Sequence, residues 1–191
     1  MNVILASSSQ YRRQLLERLQ ISFTTLSPEI DETPRKNESP QMIAQRLSIE
    51  KALSIAKLNP SAIVIGSDQC ADLNGHIVNK PLTYDKAMEQ LRNASNHEMI
   101  FYTGLSVVHI DNNRQYNCVV ETRVKYKKLT EQIISSYLNK DKPFDCAGSG
   151  KIESLGIALV EWVKSDDPSA LIGLPLIKTA EYLQLCGYPL F

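Results

Sequence analysis

Apolar and polar positions alternate in a regular order from the start of the chain. A short apolar run at 3–6 is followed by the polar turn Ser7-Ser8-Ser9 and then by Leu15, Leu16 and Leu19. An uninterrupted apolar run predicts a buried strand, whereas leucines spaced by three or four positions after a serine predict a capped helix. The chain therefore opens as strand, serine-rich turn and helix.

The same alternation continues to the end of the sequence. Ser39-Pro40 is typical of a helix start, and Asn74-Gly75 is typical of a tight hairpin turn. We expect the further helices at about 39–58, 83–94, 130–139 and 175–186, and the further strands at 23–26, 62–66, 98–110, 115–126 and 157–162. Helices that alternate with buried strands and one long hairpin predict an α/β fold with a mixed twisted sheet and flanking helices.

Charge and length narrow the class of protein. The 191 residues include 21 Lys+Arg and 21 Asp+Glu, so the formal net charge is zero. A chain without a basic excess is not typical of sequence-independent nucleic-acid binding. The longest apolar stretch, 170–177, is interrupted by Gly173 and Pro175 and is much shorter than the roughly 20 residues that cross a membrane. We expect a single domain over 1–191, with no nucleic acid and no membrane as partners.

The four cysteines lack the spacing of a metal or redox motif. Cys70, Cys118, Cys146 and Cys186 are far apart in the chain, and the apolar run at 3–6 is too short for a secretion signal. Free thiols are typical of a reducing compartment, so we expect a cytoplasmic protein.

The serine-rich turn is the first candidate for chemistry. Backbone N–H groups at a helix start bind anions, and Arg12 and Arg13 add positive charge there. Adjacent helix positions diverge by about 100°, so the two arginines do not face one small group together. The same residues also fit a helix cap with a solvated basic turn, and the pattern alone leaves both interpretations open.

The end of the strand at 62–66 is the second candidate. Asp68 follows this apolar strand directly, where a metal ligand or a proton acceptor is commonly held, although a turn-capping Asp fits equally. Glu32 is a carboxylate in a polar loop, Lys80 lies in the loop after the hairpin, and Lys51 lies in the middle of a predicted helix.

Taken together, these segments resemble the Maf family of nucleotide pyrophosphatases along nearly the whole chain. The motifs occur in order, which makes the resemblance specific even though each is weak alone. They are Leu5-Ala6-Ser7-Ser8-Ser9 with Arg12-Arg13, Asp31-Glu32-Thr33, Arg46-Leu47, Glu50-Lys51-Ala52, Gly66-Ser67-Asp68, Gly75 with Lys80-Pro81, Tyr102-Thr103-Gly104, Ala147-Gly148 and Gly173-Leu174-Pro175-Leu176.

The resemblance implies an enzyme that splits a nucleoside triphosphate into the monophosphate and pyrophosphate. It implies a divalent metal cation (Mg²⁺, Mn²⁺ or Co²⁺) and two lobes around a central cleft, similar to inosine-triphosphate pyrophosphatases. Asp68 is then the proton acceptor, and Asp68 and Glu32 hold the metal. The cationic and hydroxyl groups that the resemblance places on the phosphates are Ser8, Arg12, Arg13, Lys51 and Lys80.

Three further positions indicate which branch of the family the chain resembles. Tyr11, Gln69 and Glu153 stand where the branch that acts on thymidine and uridine triphosphates carries Arg, Thr and Gln, so the chain resembles the branch that acts on 7-methyl-GTP. N7-methylation makes guanine a cation, which an aromatic face and a carboxylate attract. Gln69 offers both a donor and an acceptor to a base.

Two alternatives and one partner follow from the same resemblance. One alternative is a pyrophosphatase for dTTP, UTP or other modified nucleotides. The other is a nucleotide-binding regulator of septum formation. The long hairpin at 98–126 offers strand edges that would pair in a homodimer.

Overall fold

A computed structural model describes all residues from Met1 to Phe191. Seven strands form one mixed sheet in the order β2-β1-β3-β5-β6-β7, with β4 paired to β3. The strands are β1 (Val3–Ala6), β2 (Thr24–Leu26), β3 (Ile63–Leu73), β4 (His76–Ile77), β5 (Glu98–His109), β6 (Arg114–Tyr126) and β7 (Val160–Ser165). The helices are α1 (Gln10–Glu17), α2 (Pro40–Ala56), α3 (Tyr84–Ala94), α4 (Glu131–Asp141) and α5 (Leu176–Leu185). The predicted α/β class, with a mixed sheet and flanking helices, is confirmed.

The chain divides into two compact units. The first unit comprises Met1–Gln69, Thr103–Val120 and Asp167–Phe191, and the second comprises Cys70–Tyr102 and Glu121–Asp166. No helix is long and apolar enough to cross a membrane.

The first unit is built around the parallel pair of β1 and β3. Val3 pairs with Ile63 and Ile4 with Val64, and all four side chains are buried. Successive side chains of a strand point to opposite faces, so both faces of this pair must be covered. Val3 and Ile63 lie in one core cluster and Ile4 and Val64 in another. The first cluster includes Leu15, Leu16, Leu176 and Leu183 of α1 and α5, and the second includes Ala52, Ile55 and Ala56 of α2.

Hydroxyl side chains start four of the helices. Ser9, Ser39, Thr83 and Thr130 each accept a hydrogen bond from the backbone N–H three residues further along. This contact satisfies one of the N–H groups that a helix start leaves unpaired. The predicted starts after positions 39, 83 and 130 and the serine cap before α1 are therefore confirmed.

Strand β3 is longer than the sequence pattern indicates. The sequence predicts a strand at 62–66 with Asp68 directly after it. The structure instead keeps the chain extended to Leu73, where the predicted Asn74-Gly75 turn leads into β4. The neighbouring strand β5 has 12 residues, which is close to the 11 residues of β3. Asp68 therefore lies within the strand, and the predicted strand end before it is wrong.

The last strand is also shifted. The prediction placed it at 157–162, but Leu155–Leu159 form a 3₁₀-helix and β7 runs from Val160 to Ser165. Its position follows from antiparallel pairing with β6, in which Val124 lies opposite Val163. Pairing with a distant strand fixes this register, and local apolar content does not reveal it. The second unit also buries Leu91 and Leu138, on α3 and α4.

Candidate active site

Helix α2 lies unusually close to the strands beneath it. A Cβ atom built on Gly66 of β3 would collide with the carbonyl oxygen of Ser48, and one on Gly104 of β5 would collide with that of Ala44. Only glycine permits such an approach, because it has no side chain to hold the helix away. The contact brings the middle of α2, and Lys51 with it, next to β3.

Lys51 joins the two predicted catalytic carboxylates. Its Nζ lies 2.6 Å from Oδ1 of Asp68 and 2.7 Å from Oε1 of Glu32. The side chains of Lys51 and Asp68 are only 8% and 13% exposed, whereas that of Glu32 is 60% exposed. Two carboxylate oxygens therefore converge on one cationic nitrogen, with one carboxylate buried and the other open to solvent.

Arg12 provides a second cation near this group. Its Nε donates to the carbonyl oxygen of Gly173 at 2.9 Å, and Nη1 lies 3.4 Å from Oγ of Ser7. Burial lowers the pKa of Arg12, and the negative charges of Asp68 and Glu32 act in the opposite direction. An arginine retains its proton in proteins, so a permanent positive charge lies within electrostatic reach of both carboxylates.

The rest of the serine-rich turn faces different ways. Arg13 is exposed and pairs with Glu17 one turn along α1, as the divergence of adjacent helix positions predicts. Ser8 is exposed and Tyr11 is half-buried at the start of α1. Ser7 is buried, and its Oγ accepts from the N–H of Ser9 as well as facing Arg12. Ser7 belongs to the motif Leu5-Ala6-Ser7-Ser8-Ser9, but the sequence alone did not indicate its contact with Arg12.

A half-buried arginine holds the loop that carries Glu32. Arg46 of α2 contacts Glu38 twice, with Nε 2.6 Å from Oε1 and Nη2 2.8 Å from Oε2. The same Nη2 donates to the carbonyl oxygen of Thr33 at 3.2 Å, directly after Glu32. Nη1 also reaches Glu50 at 3.1 Å. Arg46 thus connects the Glu32 loop to the helix that carries Lys51. The motif Arg46-Leu47 did not indicate this role in the sequence.

Gln69 lies one residue after Asp68 on β3. Its Nε2 is 3.0 Å from each of three oxygen atoms, which are Oγ1 of Thr103 and the carbonyl oxygens of Ala170 and Leu171. Ser67, on the same strand, donates to the carbonyl oxygen of Gly104 at 2.7 Å. The side chains of Ser67 and Gln69 are therefore held by hydrogen bonds to backbone carbonyl groups around them.

Two predicted site residues belong to the second unit. Lys80 is exposed between β4 and α3. Glu153 lies in a turn that Ser154 anchors, since its Oγ donates to Oδ1 of Asp141 at 2.6 Å. Desolvation raises the pKa of Glu153, with a smaller contribution from the charges of Asp141 and Asp145. The structure brings together Arg12, Glu32, Lys51 and Asp68 within the first unit.

The donor set of Asp68 and Glu32 fits a hard divalent cation. Both are carboxylates, and their oxygens already converge on the ammonium group of Lys51. No group of three or more His, Cys, Asp or Glu side chains is placed to hold a metal by itself. Mg²⁺ is commonly bound by one or two carboxylates together with substrate phosphates and water, so a two-carboxylate site suits a nucleotide-dependent metal.

Comparison with known proteins agrees with the motifs. A family model described as Maf-like protein matches residues 2–186. The 7-methyl-GTP pyrophosphatase of Polaromonas sp. is 45% identical over 189 residues, which cover 99% of this chain and 86% of that protein. The enzyme of the same name from Cupriavidus pinatubonensis is 47% identical over 189 residues, covering 99% of this chain and 95% of that protein.

Solved structures also align with part of the chain. The Staphylococcus aureus Ham1 protein matches with a TM-score of 0.49 and 14% identity, over 66% of this chain and 72% of that chain. A HAM1 protein from Coxiella burnetii gives a TM-score of 0.48 and 15% identity, over 66% of this chain and 73% of that chain.

Proposed function

Because the chain belongs to the Maf-like protein family, we propose that it hydrolyses 7-methyl-GTP to 7-methyl-GMP and pyrophosphate. Relatives that share 45% and 47% of its residues over almost the whole chain carry the name of that activity. The observation that carries the proposal is the contact of Lys51 with both Asp68 and Glu32, beside Arg12. Anhydride hydrolysis needs this combination of carboxylates and cations.

Asp68 is the proton acceptor in the mechanism that we propose. It takes a proton from the attacking water as the water oxygen bonds to phosphorus. The P–O bond of the α–β anhydride breaks, and its electron pair leaves with pyrophosphate. A buried carboxylate held at a fixed position by Lys51 is suited to orient water, because its geometry is set before the substrate arrives.

The cations of the site offset the charge of the phosphates. Arg12 is fixed by Gly173 and Ser7. We also assign Ser8, which precedes α1, and Arg13, the residue after Arg12, to the phosphates. We assign Lys51 and Lys80 to the phosphates as well. Negative charge that develops on the phosphoryl oxygens in the transition state is stabilised by such preorganised positive groups.

Asp68 and Glu32 would hold the divalent cation, which we propose to be Mg²⁺, Mn²⁺ or Co²⁺. When bound, the cation supplies Lewis-acid stabilisation of phosphate charge. We further propose a cytoplasmic location, where the four cysteines, none of which forms a disulfide, stay reduced. We also propose a homodimer that uses the hairpin of β5 and β6.

A nucleotide panel tests the activity. Purified protein with each of the three metals is assayed for pyrophosphate release from 7-methyl-GTP, GTP, UTP and dTTP. The proposal expects the highest kcat/KM for 7-methyl-GTP. Faster release from UTP or dTTP would assign the chain to the pyrimidine branch, and no release from any nucleotide would leave a binding role in septum formation as the alternative.

A pair of variants tests the assigned proton acceptor. D68N keeps the shape of the side chain but removes a carboxylate oxygen, so turnover should fall by about 10²-fold or more. D111N changes an exposed aspartate in the turn between β5 and β6 and should leave turnover unchanged. A D68N variant that turns over at the rate of D111N would remove Asp68 from the mechanism.

A further inference from the structure

The orientation of the Gln69 amide is determined by its surroundings. Its Nε2 lies 3.0 Å from the carbonyl oxygens of both Ala170 and Leu171. A backbone carbonyl only accepts hydrogen bonds, so the nitrogen and not the oxygen must face these two groups. A flipped amide would set Oε1 against two carbonyl oxygens. The acceptor Oε1 is therefore the end of Gln69 that these contacts leave for another group.

Thr103 completes this arrangement from strand β5. Its Oγ1 lies 2.9 Å from the carbonyl oxygen of Ala170, to which it donates, and 3.0 Å from Nε2 of Gln69. The hydroxyl has one hydrogen, and the Ala170 carbonyl takes it, so Thr103 presents a lone pair to Gln69. Thr103 is fully buried, which keeps water from replacing it as the acceptor.

We propose that Thr103 is a positioning residue for base recognition, holding Gln69 so that Oε1 accepts from the exocyclic amino group of the base. This inference rests on the proposed function, since it concerns how the same enzyme reads its nucleotide. It replaces the expectation that Gln69 offers both a donor and an acceptor. The donor end is bound by the protein itself.

The amino group is the donor on 7-methylguanine that best suits a fixed acceptor. The positive charge of the methylated ring makes the N1–H easier to lose, because the deprotonated base is then neutral overall. The exocyclic amine keeps its hydrogens and has no competing acceptor function. A carbonyl oxygen with one fixed orientation selects such a group and disfavours a base that lacks it.

Side-chain amide exchange tests the orientation without any substrate. In the full-length protein labelled with ¹⁵N, the Gln69 NH₂ signals are identified by their loss in Q69M. In the wild type, the two amide hydrogens are shared among three acceptors, which should slow their exchange with solvent. T103V, which keeps the shape of threonine, should accelerate that exchange by about tenfold. T103S restores the hydroxyl and should restore slow exchange.

A one-group change in the substrate tests the recognition. 7-methyl-ITP lacks only the exocyclic amine of 7-methyl-GTP. The wild type and T103S should prefer 7-methyl-GTP in kcat/KM by about tenfold, the factor for one lost hydrogen bond. Q69M should bring the ratio close to one, whereas T103V should lower it only in part, because the carbonyl oxygens of Ala170 and Leu171 still face Nε2 of Gln69. Adding T103V to Q69M should change the ratio no further, because Thr103 acts through Gln69.

T179V is the matched control. Thr179 is also fully buried, and its Oγ1 donates to the carbonyl oxygen of Pro175 at 2.7 Å. T179V therefore reports the cost of losing a buried hydroxyl alone, and it should keep both the slow Gln69 exchange and the wild-type ratio. Thermal unfolding of each variant identifies any that does not fold, and if T103V fails this check, T103A tests the loss of the hydroxyl in its place.

The possible outcomes distinguish the proposed function from the proposed role of Thr103. A T103V protein that keeps slow exchange or keeps the preference for 7-methyl-GTP would overturn the role of Thr103. A wild type that uses 7-methyl-ITP equally well would overturn the reading of the amine by Gln69. If the wild type hydrolyses no 7-methyl-GTP, the proposed function fails, and the exchange measurement still decides whether Thr103 positions Gln69.

Discussion

The ammonium nitrogen of Lys51 on helix α2 lies 2.6 Å from Oδ1 of Asp68 on strand β3. Both side chains are largely removed from water, and the pair connects the layer formed by α2 to the centre of the sheet. An ion pair in such a place matters mainly through the cost of leaving one partner alone, because an unpaired buried charge is poorly solvated. The Lys51–Asp68 ion pair should therefore affect the stability of the protein as well as its activity.

Removing the ammonium should destabilise the fold. In K51M the Asp68 carboxylate stays buried without its partner, so the free energy of unfolding should fall by about 3 kcal/mol in urea denaturation. The control K178M breaks the exposed Lys178–Glu181 pair and should cost less than about 1 kcal/mol. The double variant K51M/D68N should cost less than the sum of the two single changes. A K51M protein as stable as K178M would contradict this prediction.

The close approach of α2 to the sheet predicts a strong effect of a single methyl group. In G104A the new Cβ would collide with the carbonyl oxygen of Ala44, which is backbone and cannot rotate away. We expect a loss of about 3 kcal/mol in the free energy of unfolding and reduced turnover, because the helix that carries Lys51 must shift. In the control G75N, asparagine tolerates the left-handed turn conformation and should cost less than about 1 kcal/mol. Equal stability of the two variants would argue against the close packing.

The contact between Glu38 and Arg46 predicts a dependence of stability on pH. Hydrogen bonds from Arg46 lower the pKa of Glu38 from 4.5 to about 2. A depressed carboxylate pKa stabilises the fold above the unfolded-state value, and the contribution is lost as pH falls through the folded-state value. The wild type should therefore lose stability between about pH 4.5 and pH 2, and E38Q should lose less over that interval.

Urea midpoints measured from pH 6 to pH 2 check this expectation. R46M removes the cause of the shift and should flatten the same interval as E38Q does. Both variants should also need more divalent metal for half-maximal activity, since Arg46 fastens the loop at Thr33 beside Glu32. An E38Q profile parallel to that of the wild type would show that another group controls this interval.

Glu153 is predicted to read the positive charge of the methylated base. E153Q removes the negative charge and keeps the shape, so the preference for 7-methyl-GTP over GTP in kcat/KM should fall by about tenfold. E161Q, an exposed change on β7 in the same unit, is the control and should keep the preference. An unchanged ratio in E153Q would mean that Glu153 does not distinguish the two bases.

Local signals in the sequence predicted much of the fold. Ser39-Pro40 and Thr83 start helices where expected, because a cap acts over three residues and needs no distant partner. Asn74-Gly75 makes its turn because both residues adopt positive φ. The boundaries failed where a neighbouring strand decided them, as at Leu73 and Val160, because strand pairing is set by residues far away in sequence.

The sequence by itself determined which chemical groups are present and, through its motifs, the family to which the chain belongs. It could not show that Lys51 contacts Asp68 and Glu32, that Arg46 holds the Glu32 loop, or that Gln69 turns its nitrogen to the backbone. Those facts depend on distances between residues separated by many positions, which only packing of the helices on the sheet establishes. Composition and local hydrogen bonding specify helices and strands. The orientation of a polar side chain depends instead on the acceptors and charges that the fold places around it.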